Sequence, residues 1–221
     1  MERLVLLYHH VAPGPDNKWQ VSPGEFQRQI ACLLERGFKV LTLRHYFTDK
    51  GPGRKAFITF DDGYADTYEY AFPILRAFGV SASVFLITDY IGQTNEWDHE
   101  TVSRARHLDA SQISELCRNK WEMHSHTASH ADFRRLAGDQ IERDVQRATE
   151  VIGCWNEGPL FCAFPYGRSE PRLIDALFRN GYAGAFVAQP SWPEGDPFRL
   201  PRIPVTAQCL QRLNLERVFG C

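Results

Sequence analysis

The chain has 221 residues, 43% of them hydrophobic and 24% charged, which is the balance of a soluble globular protein with one well-buried core. Its formal net charge is −2 and it has no basic run, which speaks against nucleic acid or an anionic membrane surface as partner and fits a neutral or weakly charged substrate. The apolar run Leu4 to Tyr8 is too short for a secretory signal and no segment reaches membrane-span length, so a cytoplasmic location is expected unless a leader has been cleaved.

Leu4 to Tyr8 reads as a buried strand. Ser22 and Pro23 then set the cap and first turn of a helix carrying Phe26, Ile30, Leu33 and Leu34 on one face, stopped by Gly37. A strand is expected over Lys39 to Leu43 and another over Ala56 to Phe60. A helix over Tyr68 to Phe78 and a strand over Ser83 to Ile87 follow. The polar, aromatic stretch Gly92 to Leu108 has no clear period and reads as an excursion. Ser111 is expected to cap a helix running to Asn119, and Trp121 to Met123 reads as a short strand. Helices over Asp139 to Ile152 and Pro171 to Asn180 then alternate with strands over Leu160 to Phe164, Gly184 to Val187 and Leu200 to Val205. Strands alternating with helices predict a single parallel α/β domain over 1–221, a barrel that need not be complete. The six cysteines show no C-x-x-C pair and no zinc-finger spacing, so they are read as free thiols.

Asp61 and Asp62 leave the carboxyl end of an apolar strand, Phe57-Ile58-Thr59-Phe60, and Gly63 permits a sharp turn behind them. That end of a strand is where α/β barrels gather catalytic groups. Adjacent carboxylates point in different directions, so one can hold a cation while the other reaches a water. Alone, Asp-Asp-Gly is also an ordinary turn or cap.

The segment His124-Ser125-His126-Thr127-Ala128-Ser129-His130 holds three of the chain's eight histidines. If it is helical, His126 and His130 share one face at i, i+4 and can share a metal, with His124 pointing elsewhere and Thr127 or Ser129 orienting the rings. Two imidazoles and a carboxylate leave open positions on zinc, cobalt, nickel or iron. A His-rich surface loop is the alternative, and the presence of Asp61-Asp62 in the same chain weighs against it.

Together these residues resemble the polysaccharide deacetylase family, the NodB-homology domain of carbohydrate esterase family 4. Thr59-Phe60-Asp61-Asp62-Gly63 is similar to its first motif, His126-Thr127-Ala128-Ser129-His130 to its second, and Ala163-Phe164-Pro165-Tyr166-Gly167 to its third. The resemblance runs from about Leu4 to Val205. It implies a distorted, incomplete (β/α) barrel that hydrolyses the N-acetyl group of an amino sugar in a polysaccharide, oligosaccharide or lipid-linked precursor. It also implies Asp61 as general base, Asp62, His126 and His130 as ligands of a divalent metal, most often zinc, and the Tyr166 backbone N–H as oxyanion donor. Pro165 and Tyr166 would line the substrate groove.

Two positions depart from the family's pattern. Its third motif usually opens with an Arg that orients the base, where this chain has Ala163; Arg202, or failing that Arg199, is the candidate replacement. Its usual late general-acid histidine is absent, since no histidine follows His130. Tyr8-His9-His10 resembles the poly-N-acetylglucosamine deacetylase branch, in which the motif order is permuted and the acid comes first, so His9 takes that role and His10 is structural or solvent-facing. Trp19, Trp97 and Trp192 are candidates for stacking on sugar, with Asp98 and His99 beside Trp97. His45 and His107 are read as incidental. The alternatives are a carbohydrate-binding protein that has lost turnover, and a deacetylase or deformylase of small non-sugar amides.

Overall fold

In the computed structural model, which describes residues 3–14, 18–96, 104–190 and 195–206, the N-terminal apolar run is strand β1 (Arg3–Tyr8). Two short strands, β2 (His10–Val11) and β3 (Gln20–Val21), pair beside it. Helix α1 (Pro23–Glu35) begins as expected: the Ser22 hydroxyl accepts the Glu25 N–H at 3.2 Å, satisfying one of the donors a helix start leaves bare. Strands β4 (Phe38–Leu41) and β5 (Arg54–Phe60) follow.

The next helix departs from its expected span. It opens with a π turn over Thr67–Ala71 before α2 (Phe72–Ala77), because Pro73 has no N–H to close an α turn on the Glu69 carbonyl. After β6 (Ser83–Leu86) and the excursion comes α3 (Ala110–Arg118), capped by Asp109 and not by Ser111. The Asp109 carboxylate accepts from the Ser111 and Gln112 N–H groups at 2.9 Å each, and Gln112 returns a bond to the Asp109 N–H, a reciprocal box that Ser111 lacks. The remaining elements are β7 (Glu122–Ser125), α4 (Gly138–Ile152), β8 (Phe161–Ala163), α5 (Pro171–Arg179), β9 (Gly184–Phe186) and β10 (Ile203–Pro204). Among the described residues, no helix is long and apolar enough to cross a membrane.

The strands form one parallel sheet in the order β10-β1-β5-β6-β7-β8-β9. Strand β5 pairs with β1 from Lys55 to Phe60. It shares its other edge between β4, at Arg54 to Phe57, and β6, at Thr59 and Phe60. The sheet curls until its ends meet through one short segment, in which Leu200 bridges to Phe186 of β9 while Ile203 pairs with Leu6 of β1. The result is the distorted, incomplete (β/α) barrel, in one domain, that the alternation predicted.

Side-chain parity divides the core. Leu6, Ile58 and Phe60 face outward against Phe26, Ile30 and Leu33 of α1, while Cys162 and Ala185 pack under α4 and α5. The alternate residues Val5, Phe57, Phe85, Phe161, Ala163 and Phe186 fill the barrel interior. Continued past the strand ends, the inward parity falls on His9 after β1, Asp61 after β5 and His126 after β7. The barrel thus collects at one rim the side chains that chemistry needs.

Candidate active site and metal centre

Asp61 leaves β5 with its N–H donating to the Tyr8 carbonyl at 2.9 Å, which fixes the β5 exit against the β1 exit. Asp62 then takes a left-handed backbone (φ 66°), a conformation that Asp tolerates better than most residues. Gly63 is also left-handed (φ 73°), and a Cβ there would lie 2.7 Å from Leu86 Cδ2, so a larger residue would strain the turn and push that leucine aside. The two adjacent carboxylates are thereby separated in direction.

His126 follows β7 directly, its N–H bonded to the Leu86 carbonyl at 2.8 Å. The segment to His130 is not a helix: Thr127 (φ 69°) and His130 (φ 55°) are left-handed, and the chain doubles back in a tight loop. The Thr127 hydroxyl accepts the His130 N–H at 3.1 Å. Asp144 of α4 fastens the loop, accepting from the Ala128 N–H at 2.7 Å and the Ser129 hydroxyl at 2.5 Å. The ring of His126 is oriented by the Ala163 carbonyl, which accepts from Nδ1 at 2.9 Å, and not by Thr127 or Ser129 as expected. That bond puts the proton on Nδ1 and leaves Nε2 bare, as a metal ligand requires. His124 also departs from expectation. It shares the inward parity of His126 one layer deeper, between Phe85 and Phe161.

The three expected ligands converge. One donor atom each from Asp62, His126 and His130 lies within 4.8 Å of the others, and all three residues are buried. His126 Nε2 stands 3.2 Å and His130 Nε2 3.7 Å from Asp62 Oδ1, an oxygen that carries no hydrogen bond although it is buried. A buried carboxylate oxygen without a donor, faced by two imidazole nitrogens, fits a divalent cation of the borderline class. Burial works to raise the Asp62 pKa, but the imidazoles that face it, His126 foremost, hold it well below the carboxylate range. Burial, and then the charge of His126, push His130 down to about 3, so its ring is neutral.

Asp61 lies beside this cluster, its Oδ2 4.0 Å from His126 Nε2. Arg202 grips it with two hydrogen bonds, Nη1 to Oδ1 at 2.6 Å and Nη2 to Oδ2 at 2.8 Å. The guanidinium is only 1% exposed, rests over the rings of Phe85 and Phe186, and also donates to the Thr59 hydroxyl. Burial opposes charge on Asp61, yet Arg202 and His126 keep its carboxyl below the ordinary range. Arg199 is spent elsewhere, on Asp196. Arg202 is delivered by the segment that joins the two ends of the sheet.

His9 stands at the same rim, its ring 4.6 Å from that of Trp19. Its Nδ1 is buried without a hydrogen bond, and burial lowers its pKa against the pull of Asp62 and Asp61. His10 does not face solvent. It is buried, pairs with Asp66 at 2.6 Å and stacks on Tyr64. Pro165 is buried after β8. Tyr166 is left-handed (φ 59°) and 55% exposed, its ring set against His130 at 4.7 Å. Trp97, Asp98, His99 and Trp192 lie outside the described residues. Sequence reasoning missed Asp144, whose place on α4 signals nothing, and read as incidental His107, whose ring donates to the Asp62 carbonyl.

A parallel β/α barrel with a carboxylate–histidine cluster and an arginine-held second carboxylate at its carboxyl rim has the groups that a hydrolase needs. The chain belongs to the polysaccharide deacetylase family, whose profile matches residues 48–185, and as such acts on an amide bond. It is 29% identical over 213 residues to the poly-β-1,6-N-acetyl-D-glucosamine N-deacetylase of Staphylococcus epidermidis, a match covering 90% of this chain and 72% of the relative. The fold matches that of IcaB from Ammonifex degensii, with a TM-score of 0.80 at 23% identity over 97% of this chain and 96% of that one. It also matches the Streptococcus pyogenes deacetylase PplD in complex with acetate, with a TM-score of 0.80 at 18% identity over 99% and 98% of the two chains.

Proposed function

We propose that the chain removes the N-acetyl group from an amino sugar of a polysaccharide, oligosaccharide or lipid-linked precursor and releases acetate, with a divalent metal, zinc by its donor set, held by Asp62, His126 and His130. The observation that carries this reading is the pairing of Asp61 with Arg202 next to that ligand cluster. A carboxylate held by two hydrogen bonds keeps one geometry and stays ionised, the state a general base needs.

When bound, the ion supplies Lewis-acid polarisation of the acetyl carbonyl and lowers the pKa of water. Asp61 accepts the proton of the attacking water. The Tyr166 backbone N–H donates to the oxyanion that forms on the acetyl carbon. His9 gives a proton to the departing nitrogen, which leaves as a neutral amine. Pro165 and Tyr166 border the entering sugar, and Trp19 steadies the His9 ring. The binding-protein alternative draws on the missing arginine and the missing late histidine; Arg202 supplies a guanidinium at that carboxylate, and His9 offers an imidazole at the same rim.

The S. epidermidis relative names the first substrate to try, a β-1,6-linked N-acetylglucosamine oligomer. Acetate release is measured on that oligomer and on β-1,4-linked oligomers, after chelation and after zinc or cobalt is restored. Metal-dependent release that disappears in Asp61→Asn is expected. Absence of release from every acetylated sugar, with metal demonstrably bound, would overturn the proposal.

A further inference from the structure

The excursion between β6 and α3 is anchored to the turn that carries the metal ligand. Its two sides pair, Thr94 with Arg106, and Gly92 donates to the Leu108 carbonyl at 2.9 Å. The returning side then joins the turn after β5. Tyr64 pairs with His107, Leu108 donates to the Gly63 carbonyl at 2.8 Å, and Ala65 donates to the Arg106 carbonyl at 2.8 Å.

At the centre of this junction the Asp62 carbonyl accepts a hydrogen bond from His107 Nδ1 at 2.9 Å. A carbonyl only accepts, so the proton sits on Nδ1. The ring is 4% exposed and stacks on Tyr64, with centroids 4.8 Å apart, while Tyr64 also stacks with His10 at 3.9 Å. His10 is in turn tied to Asp66. The stack runs from the residue beside His9 to the main chain of Asp62 and is buried along its length.

We propose that His107 is a positioning residue for the metal centre. Its bond to the Asp62 carbonyl holds the ligand's backbone in the left-handed conformation that aims the carboxylate between His126 and His130. The inference rests on the metal assignment made above. Partners that orient a ligand without touching the ion typically tune its affinity by about tenfold to a hundredfold. Three substitutions separate the hydrogen bond from the packing. His107→Phe keeps a ring on Tyr64 and removes the donor. His107→Asn returns an amide N–H near the Nδ1 position without the ring. His107→Leu takes the place of His107→Phe if the latter does not fold.

Zinc affinity of the metal-stripped full-length chain is measured by competition with a chromophoric chelator, alongside its Tm in chelator. His107→Phe is expected to bind zinc about tenfold more weakly or worse, and His107→Asn to recover most of the loss, with little difference between their metal-free Tm values. Zinc binding by His107→Phe equal to that of wild type overturns the inference and leaves the metal centre standing. Equal losses in the Asn and Phe variants also overturn it, because the ring and not the donor then matters. A wild-type chain that binds zinc no better than Asp62→Ala removes the metal reading itself, and this inference with it.

Discussion

The Arg202 guanidinium and the Asp61 carboxylate meet through two hydrogen bonds, of 2.6 and 2.8 Å, across 141 positions of sequence. Both groups are buried, so each depends on the other for its charge. Removing one partner of such a pair costs about 3–5 kcal/mol, since the survivor is left charged in a medium that cannot solvate it. Arg202→Met should lower stability on that scale, measured by urea unfolding, and reduce kcat by about a hundredfold. Arg202→Lys keeps a charge but not the planar fork, and should recover part of the stability and little of kcat. Equal kcat in Arg202→Met and wild type would remove Arg202 from the catalytic arrangement.

The ligand cluster predicts a linkage between metal and stability. A ligand at one hundred times its Kd stabilises the folded state by about 2.7 kcal/mol if it binds only that state. Adding zinc to the stripped protein should therefore raise its Tm by several degrees. His126→Ala and His130→Ala should show no such rise. Differential scanning fluorimetry with and without zinc reads the effect directly, and an equal rise in those variants would place the ion elsewhere.

His9 makes a separate prediction, because the role proposed for it is proton delivery and not metal binding. His9→Ala should lose about a hundredfold or more in kcat, the usual scale for a general acid. Its zinc affinity should stay near that of wild type. His10→Ala should lose stability instead, through the broken bond to Asp66 and the open face of Tyr64. Near-normal turnover by His9→Ala would hand the acid role to another group.

Glu122 carries a pH prediction at the opposite end of the barrel interior. Burial works to raise its pKa, but the His124 ring beside it and hydrogen bonds from Arg44 and Thr42 bring it from the ordinary 4.5 down to about 2. Thr42 donates to it at 2.7 Å, the Arg44 backbone N–H at 3.0 Å, and the Arg44 side chain pairs with it as well. A carboxylate whose pKa is lower in the folded state adds stability above its unfolded pKa and loses it as pH falls through the folded value. The contribution is on the order of 2–3 kcal/mol, discounted for the half-exposed Arg44. Glu122→Gln should thus be less stable than wild type at pH 7, with the gap closing between pH 4.5 and about 2. Urea midpoints across that range test it, and a gap independent of pH would refute the assignment.

The sequence by itself determined the alternation of strands and helices, the free edge of chemistry at Asp61 and Asp62, and the pairing of His126 with His130. These were legible because each depends on residues close together in the chain: an apolar strand ending in carboxylates, two histidines four apart, Ser22 and Pro23 opening a helix. The tertiary structure decided what depends on contacts between distant segments. Periodicity cannot show that His126 and His130 meet through a loop with left-handed residues at Thr127 and His130, because that loop is held by Asp144 from the next helix. Nor does local pattern tell Arg202 from Arg199, which stand three residues apart. The pairing of Leu200 with β9 and of Ile203 with β1 turns Arg202 inward onto Asp61 and leaves Arg199 to Asp196. His107 looked incidental for the same reason: its partner is a backbone carbonyl 45 residues away, and a backbone group leaves no mark on the residue letters.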